Sequence, residues 1–134
     1  MEYLGIPAAT LAGWMFGAFW YTSFSKPWLA AIEMGKEEIG RRQRVLNPML
    51  ASVLAELVLA AVLFYVLKRM SVVGWNWGAM AGFIIGAGIV LPTVFVNYIF
   101  PGRKLMLTVI DGGHWVCVVT IMGTILGFVA QLGL

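Results

Sequence analysis

Four apolar runs, each close to the length that crosses a bilayer, constrain the fold more than any other feature of this sequence. A membrane-spanning helix needs ~20 predominantly apolar residues. The runs lie at about residues 4–24, 48–67, 77–100 and 105–132. Because lipid leaves the backbone groups of an open sheet edge unsatisfied, such runs form helices. The sequence therefore predicts an all-α, polytopic membrane protein, a single domain of four transmembrane helices over residues 1–134.

Composition agrees with a membrane location and excludes several classes of protein. Hydrophobic residues make up 61% of the chain and charged residues 11%, which excludes a soluble globular domain, a disordered chain and a coiled coil. One cysteine and one histidine exclude an internal disulfide, a tetracysteine zinc site and a multi-histidine metal site. We expect no metal and no other cofactor. The net charge of +3 does not indicate nucleic-acid binding, because the basic residues lie between the apolar runs.

The long polar stretch of the chain, residues 25–47, separates the first two apolar runs. Pro27 can open a short helix that Gly35 would end, and a second short helix can follow. The second helix contains two acidic–basic pairs at i,i+4 spacing, Glu37–Arg41 and Glu38–Arg42. We interpret the stretch as an amphipathic segment that lies on the lipid headgroups. A solvated loop is the alternative.

The distribution of lysine and arginine predicts the orientation in the membrane. The first loop carries five such residues, Lys26, Lys36, Arg41, Arg42 and Arg44. The third loop carries Arg103 and Lys104, and the second carries Lys68 and Arg69. Since positive residues concentrate in cytoplasmic loops, we expect loops one and three in the cytoplasm and both termini outside.

Polar and ionisable side chains inside the apolar runs are the candidates for function. A charged group at the centre of a span costs roughly 2.5–3.5 kcal/mol on insertion scales, so its presence calls for a role. At about 1.5 Å per helical residue, the candidates all lie in the cytoplasmic half: Glu56, Asp111, His114, Asn97 and Thr93. Asp111 and His114 share a helix face at i,i+3 spacing. They form either a proton relay or ligand cavity open to the cytoplasm, or a hydrogen-bonded link between helices.

Glycine steps at small-xxx-small spacing predict close helix contacts. They are Gly13–Gly17, Gly78–Gly82–Gly86 and Gly123–Gly127. Small residues let helix backbones approach within lipid, either inside one chain or between subunits. We expect lipid as a partner, together with a homo-oligomer or a larger membrane complex. The adjacent Gly112 and Gly113 favour close packing of a bulky neighbour over local unwinding.

Three short motifs resemble a known family. The first is Trp20-Tyr21 followed by Trp28, and the second is Asn97-Tyr98, Gly102-Arg103, Asp111 and Gly113. The closing motif contains Gly123 and Gly127. In order and spacing they resemble the DUF1761 family, small bacterial and archaeal membrane proteins of unknown function. The resemblance implies about four helices and a prokaryotic cytoplasmic (inner) membrane, and it transfers no activity.

Two functions from different classes fit this sequence. The first is transport or permeation of a small solute or proton through the intramembrane polar site. The alternative is a non-catalytic structural or assembly subunit of a larger membrane complex. An enzyme is disfavoured, because the sequence has no Gly-x-Ser-x-Gly, HExxH or P-loop motif. We therefore expect no catalytic residues.

Overall fold

The structure, a computed structural model, describes residues 1–42 and 47–133. Within these ranges, a 3₁₀ turn at Glu2–Leu4 is followed by six helices, α1 (Gly5–Ser23), α2 (Ser25–Ile32), α3 (Lys36–Arg42), α4 (Pro48–Arg69), α5 (Trp75–Ile99) and α6 (Leu105–Gln131). The described residues contain no strand, so the all-α prediction is confirmed. The last part of the first loop, including Arg44, lies outside the described residues.

Three of the helices are long and apolar enough to cross a membrane. The mean hydropathy is 2.4 for α4, 2.2 for α5 and 1.8 for α6. These helices indicate a membrane-embedded protein. The 19-residue α1 corresponds to the first apolar run but is not one of these three. A fourth span therefore stays a prediction.

The central helix of the bundle is α6. In the most apolar 18-residue stretch of each helix, 39% of the residues of α6 are buried, compared with 22% in α4 and 11% in α5. Val118, Val119 and Met122 of α6 are fully buried, and they pack with Ala9 of α1 and Ala60 of α4. The other long helices thus surround α6, and most of the outer surface of α4 and α5 is left to lipid.

The glycine steps of α5 and α6 meet inside the chain. A Cβ atom added to Gly78 would meet the carbonyl oxygen of Gly123, and one added to Gly82 would meet that of Val119. The Gly74 amide donates to the Gly127 carbonyl at 3.0 Å. These glycines therefore join two helices of one chain, which was one of the two possibilities that the sequence left open.

The α5 helix contains a π-helical turn at Gly86–Val90, just before Pro92. Proline has no backbone N–H to donate to the preceding turn, and its ring crowds the carbonyl four residues earlier. A wider turn at this place relieves that crowding and redirects the helix.

The polar first loop folds as the two short helices α2 and α3. The α2 helix ends at Ile32 because Glu33 adopts a left-handed conformation, with φ of 58°, so it ends before Gly35. The sequence-based end at Gly35 was therefore two residues late. In α3, Arg42 forms an ion pair with Glu38 at 2.8 Å, one of the two predicted pairs.

The turn between α5 and α6 is bonded to the end of α2. Arg103 donates to the Ile32 carbonyl at 3.0 Å, and Lys104 pairs with Glu33 at 3.0 Å. The Lys104 ammonium holds the pKa of the Glu33 carboxyl below its usual range. Ile32 also packs against Leu107 of α6. The first and third loops thus form one connected end of the bundle.

Candidate functional site

A cavity of about 290 Å³ lies between α1, α4 and α6. Its walls include the aromatic rings of Trp14 and Tyr21 from α1 and of Trp115 from α6. Glu56 of α4 and His114 of α6 supply its ionisable groups. The cavity is near the connected end of the bundle, because its residues come from the second half of α1 and the first parts of α4 and α6.

Glu56 and His114 are buried without hydrogen-bond partners. Their side chains belong to residues that are 3% and 4% exposed. Among the described residues, nothing bonds to Oε2 of Glu56 or to Nδ1 and Nε2 of His114. A buried polar group left unpaired costs roughly 1–3 kcal/mol. These atoms therefore leave hydrogen-bonding capacity unused among the described residues, and the two residues that carry them line the cavity.

Glycines of α1 make room for both side chains. A Cβ atom at Gly13 would lie 2.6 Å from Oε2 of Glu56, and one at Gly17 would lie 2.9 Å from Nε2 of His114. The Gly13–Gly17 step thus accommodates polar side chains from α4 and α6, whereas the glycines of α5 accommodate a helix backbone.

Aromatic rings surround the His114 imidazole. Its centroid lies 4.9 Å from the rings of Tyr21 and Trp115 and 6.4 Å from that of Phe16, which is nearly parallel at 14°. The rings pack around the imidazole, and its two nitrogens have no hydrogen-bond partner within the described residues.

Asp111 lies beside the cavity and is fully bonded. Its Oδ1 accepts from the Tyr21 hydroxyl at 2.7 Å and from Trp28 Nε1 at 3.1 Å, and its Oδ2 accepts from the Tyr98 hydroxyl at 2.6 Å. We call Asp111 with these three donors the Asp111 cluster. Since the donors come from α1, α2 and α5, the carboxylate joins three helices to α6. Tyr21 also lines the cavity and thus connects the two sites.

Several of the motif residues that carry the family resemblance lie in or next to this cluster. Trp20 donates from Nε1 to the Ile110 carbonyl at 3.1 Å. Its ring covers Gly113, where an added Cβ would lie 3.3 Å away. Gly102 adopts a φ of 71° in the turn before α6, which glycine tolerates without strain. Gly112 and Gly113 lie within an unbroken helix, so the packing interpretation of these glycines agrees with the structure.

The predicted polar site is divided in the structure. Glu56 and His114 line one cavity, and Asp111 lies behind Tyr21. Thr93 and Asn97 are exposed on α5, and the Thr93 hydroxyl donates to the Ile89 carbonyl of its own helix at 2.7 Å. The structure thus does not bring Thr93 and Asn97 to the cavity.

The predicted polar site did not include the face of α1 that lines the cavity. Trp14 lines the cavity, and its Nε1 donates to the Ser52 hydroxyl at 3.2 Å. One signal was available, since Trp14, Gly17 and Tyr21 recur at intervals of three and four residues and so share one helix face. The described residues hold no group of three or more His, Cys, Asp or Glu side chains arranged to bind a metal.

Residues 4–127 match a family model described as "Protein of unknown function (DUF1761)". The matched range extends from the turn before α1 to near the end of α6 and so includes the cavity and the Asp111 cluster. No curated protein and no solved structure matches the chain.

Proposed function

This chain belongs to the DUF1761 family of proteins of unknown function, and from its cavity we propose that it binds a small solute between α1, α4 and α6 and moves it across the membrane. A proton is the smallest such solute. Glu56 and His114 are the proposed binding residues, and the role is transport or permeation without catalysis.

The observation that carries this proposal is the pair of buried, unpartnered ionisable side chains at a cavity. A side chain that only links helices is bonded to its neighbours, as Asp111 is. Glu56 and His114 instead leave three polar atoms unbonded among the described residues. Intramembrane ionisable groups of this kind are typical of substrate and proton pathways.

The proposed setting is a prokaryotic cytoplasmic membrane that α1 crosses together with α4, α5 and α6. In support, Ala9 and Gly13 of α1 pack against α4 and α6. Because α1 lies alongside these two helices, it crosses the membrane where they do. The α2 and α3 helices then lie at the cytoplasmic interface, with both termini outside. The cavity occupies the cytoplasmic half.

Cysteine labelling tests this topology. Cys117 is the one cysteine of the chain, so a Cys117→Ser background accepts single cysteines at Gly40 in α3 and at Val73 before α5, both exposed. In intact cells, an impermeant maleimide should label Val73→Cys and should label Gly40→Cys only after the membrane is opened. Labelling with the opposite sidedness would contradict the proposed orientation.

Native mass spectrometry of gently purified protein tests solute binding. The wild type should carry a small-molecule adduct, and Glu56→Gln should lose most of it because the replacement removes the carboxylate with little change of shape. The matched control is Glu37→Gln, an exposed residue of α3, which should retain the adduct.

The identified compound then serves in a flux measurement. Proteoliposomes of the wild type should take it up at least tenfold faster than empty liposomes, and Glu56→Gln should lower the rate to within twofold of the empty liposomes. Wild-type protein that carries no adduct would refute the proposal, as would uptake of the co-purified compound at the rate of empty liposomes.

A second candidate is a non-catalytic subunit of a homo-oligomer or of a larger complex. The observation that favours it is the outer surface of α5, whose apolar window is 11% buried and includes exposed Phe83, Ile84 and Phe95. The same mass spectrum distinguishes the candidates. A stoichiometric foreign subunit, with no adduct and no effect of Glu56→Gln, would support the subunit role.

A further inference from the structure

We infer that the solute of this cavity is a small organic cation, an ammonium group attached to one aromatic or apolar ring. This inference rests on the proposed function, and it names the substrate class of the same site.

The charges around the cavity favour a cation. Glu56 lines it, and the carboxylate of Asp111 lies directly behind the Tyr21 hydroxyl. Among the residues that the structure describes, no lysine or arginine lines the cavity, and the donors to Asp111 are neutral groups. The ion pairs among the described residues lie elsewhere, at Arg42–Glu38, Lys68–Glu2 and Lys104–Glu33. An anion would thus meet the Glu56 side chain, with Asp111 behind Tyr21, and no compensating positive charge from the described residues.

The aromatic walls favour the same class of ligand. Trp14, Tyr21 and Trp115 line the cavity together. The negative face of an aromatic ring attracts a cation, most strongly for tryptophan and in sites from which water is excluded. The rings also cover the apolar part of the ligand, as in most small-molecule sites.

The unpartnered atoms match the hydrogen bonds of an ammonium group. The Glu56 carboxyl, whose Oε2 has no partner among the described residues, offers lone pairs for an N–H bond. A neutral imidazole offers one acceptor nitrogen, so His114 accepts a second. A primary ammonium has three N–H donors and therefore has enough donors for both side chains.

The size and the borders of the cavity limit the ligand further. A volume of about 290 Å³ is at the lower end of ligand pockets, which suits a single ring with a short chain. Ala18, Met49 and Ala55 border the cavity and are exposed on α1 and α4. This border opens between two helices toward the membrane, from which an amphiphilic cation can enter.

Three probes of nearly equal shape test the inference: 2-phenylethylammonium, 2-phenylethanol and phenylacetate. Each has a phenyl ring on a short chain. The chain ends in an ammonium, a hydroxyl or a carboxylate, so the probes differ in charge. Saturable quenching of tryptophan fluorescence, with calorimetry as a second readout, gives each Kd for the full chain in uncharged maltoside micelles. We expect the ammonium to bind at least tenfold more tightly than the alcohol and phenylacetate most weakly.

Two variants locate the binding. Glu56→Gln should bring the Kd values of the ammonium and the alcohol within twofold of each other, while Glu37→Gln should leave the tenfold preference intact. Ala18→Trp places a ring at the exposed border and should abolish saturable binding of every probe. Its thermal stability in detergent reports whether it still folds.

Each outcome bears on one of the two proposals. Equal binding of the alcohol, or tighter binding of phenylacetate, that is lost in Ala18→Trp would overturn the cationic substrate and would leave the cavity as a solute site. No binding of the ammonium to the wild type would also overturn the cation inference. Transport itself would then be decided by the native mass spectrum and the flux of the co-purified compound.

Discussion

Replacing Asp111 with alanine is expected to lower the free energy of unfolding by about 3 kcal/mol, since three hydrogen bonds to a charged acceptor disappear. The replacement leaves the buried donors of Tyr21, Trp28 and Tyr98 without their acceptor. We count about 1 kcal/mol for each bond, because hydrogen bonds between membrane helices are on average weaker than hydrogen bonds to charged groups in soluble proteins.

Reversible unfolding in mixed micelles measures this effect. Tyr98→Phe removes one of the three bonds and should cost about 1 kcal/mol. Val109→Ala is a matched control on the same helix, because Val109 is 57% exposed. If Asp111→Ala unfolds at the same denaturant fraction as Val109→Ala, the Asp111 cluster does not hold the helices together.

Replacing Gly78 with alanine is expected to destabilise the protein by about 3 kcal/mol, because overfilling a close contact forces the backbones apart. The new Cβ atom would overlap the Gly123 carbonyl oxygen and would lie 3.0 Å from the Cα atom of Gly127. Both obstacles are backbone atoms, so a change of side-chain rotamer does not relieve them.

Gly88 supplies the control for this substitution. It belongs to the same helix, and nothing lies within 4 Å of a Cβ atom added there. Gly88→Ala should leave the stability unchanged or raise it by up to about 1 kcal/mol, since alanine favours helix more than glycine does. Equal stability of the two variants in thermal unfolding would show that α5 and α6 do not need the glycine contact.

The Asp111→Ala and Glu56→Gln variants distinguish a structural role from a binding role. The Asp111 cluster holds Tyr21, which lines the cavity, so Asp111→Ala should weaken both folding and probe binding. Glu56 makes no bond to the rest of the described bundle through Oε2, so Glu56→Gln should affect binding with little loss of stability. A stability loss as large as that of Asp111→Ala would instead indicate that Glu56 links helices.

The helices were predictable from the sequence because their signals are local. Apolar length placed α4, α5 and α6. Asn47 caps α4, and its Oδ1 accepts from the Met49 amide at 3.0 Å. The end of α2 was less predictable. It depends on the left-handed Glu33, whose carboxylate pairs with Lys104 from the distant third loop.

Candidate residues were predictable from chemistry, but their grouping was not. Burial of Glu56, Asp111 and His114 follows from the presence of ionisable groups within apolar runs. Periodicity within one helix could not show that Thr93 and Asn97 face away from α6. The side of α5 that packs is chosen by its glycines against the backbone of α6, and that choice depends on two helices.

The sequence by itself determined that the chain is helical and belongs in a membrane, because apolar length and the backbone's need for hydrogen bonds act within each segment. It also determined which side chains are too costly to bury without a role. Only the tertiary structure decided that Asp111 accepts hydrogen bonds from donors on three helices. It also decided that Glu56 and His114 line a cavity and keep polar atoms without partners among the described residues. The physical reason is that a hydrogen bond depends on atoms within about 3 Å, and these atoms come from residues up to 90 positions apart.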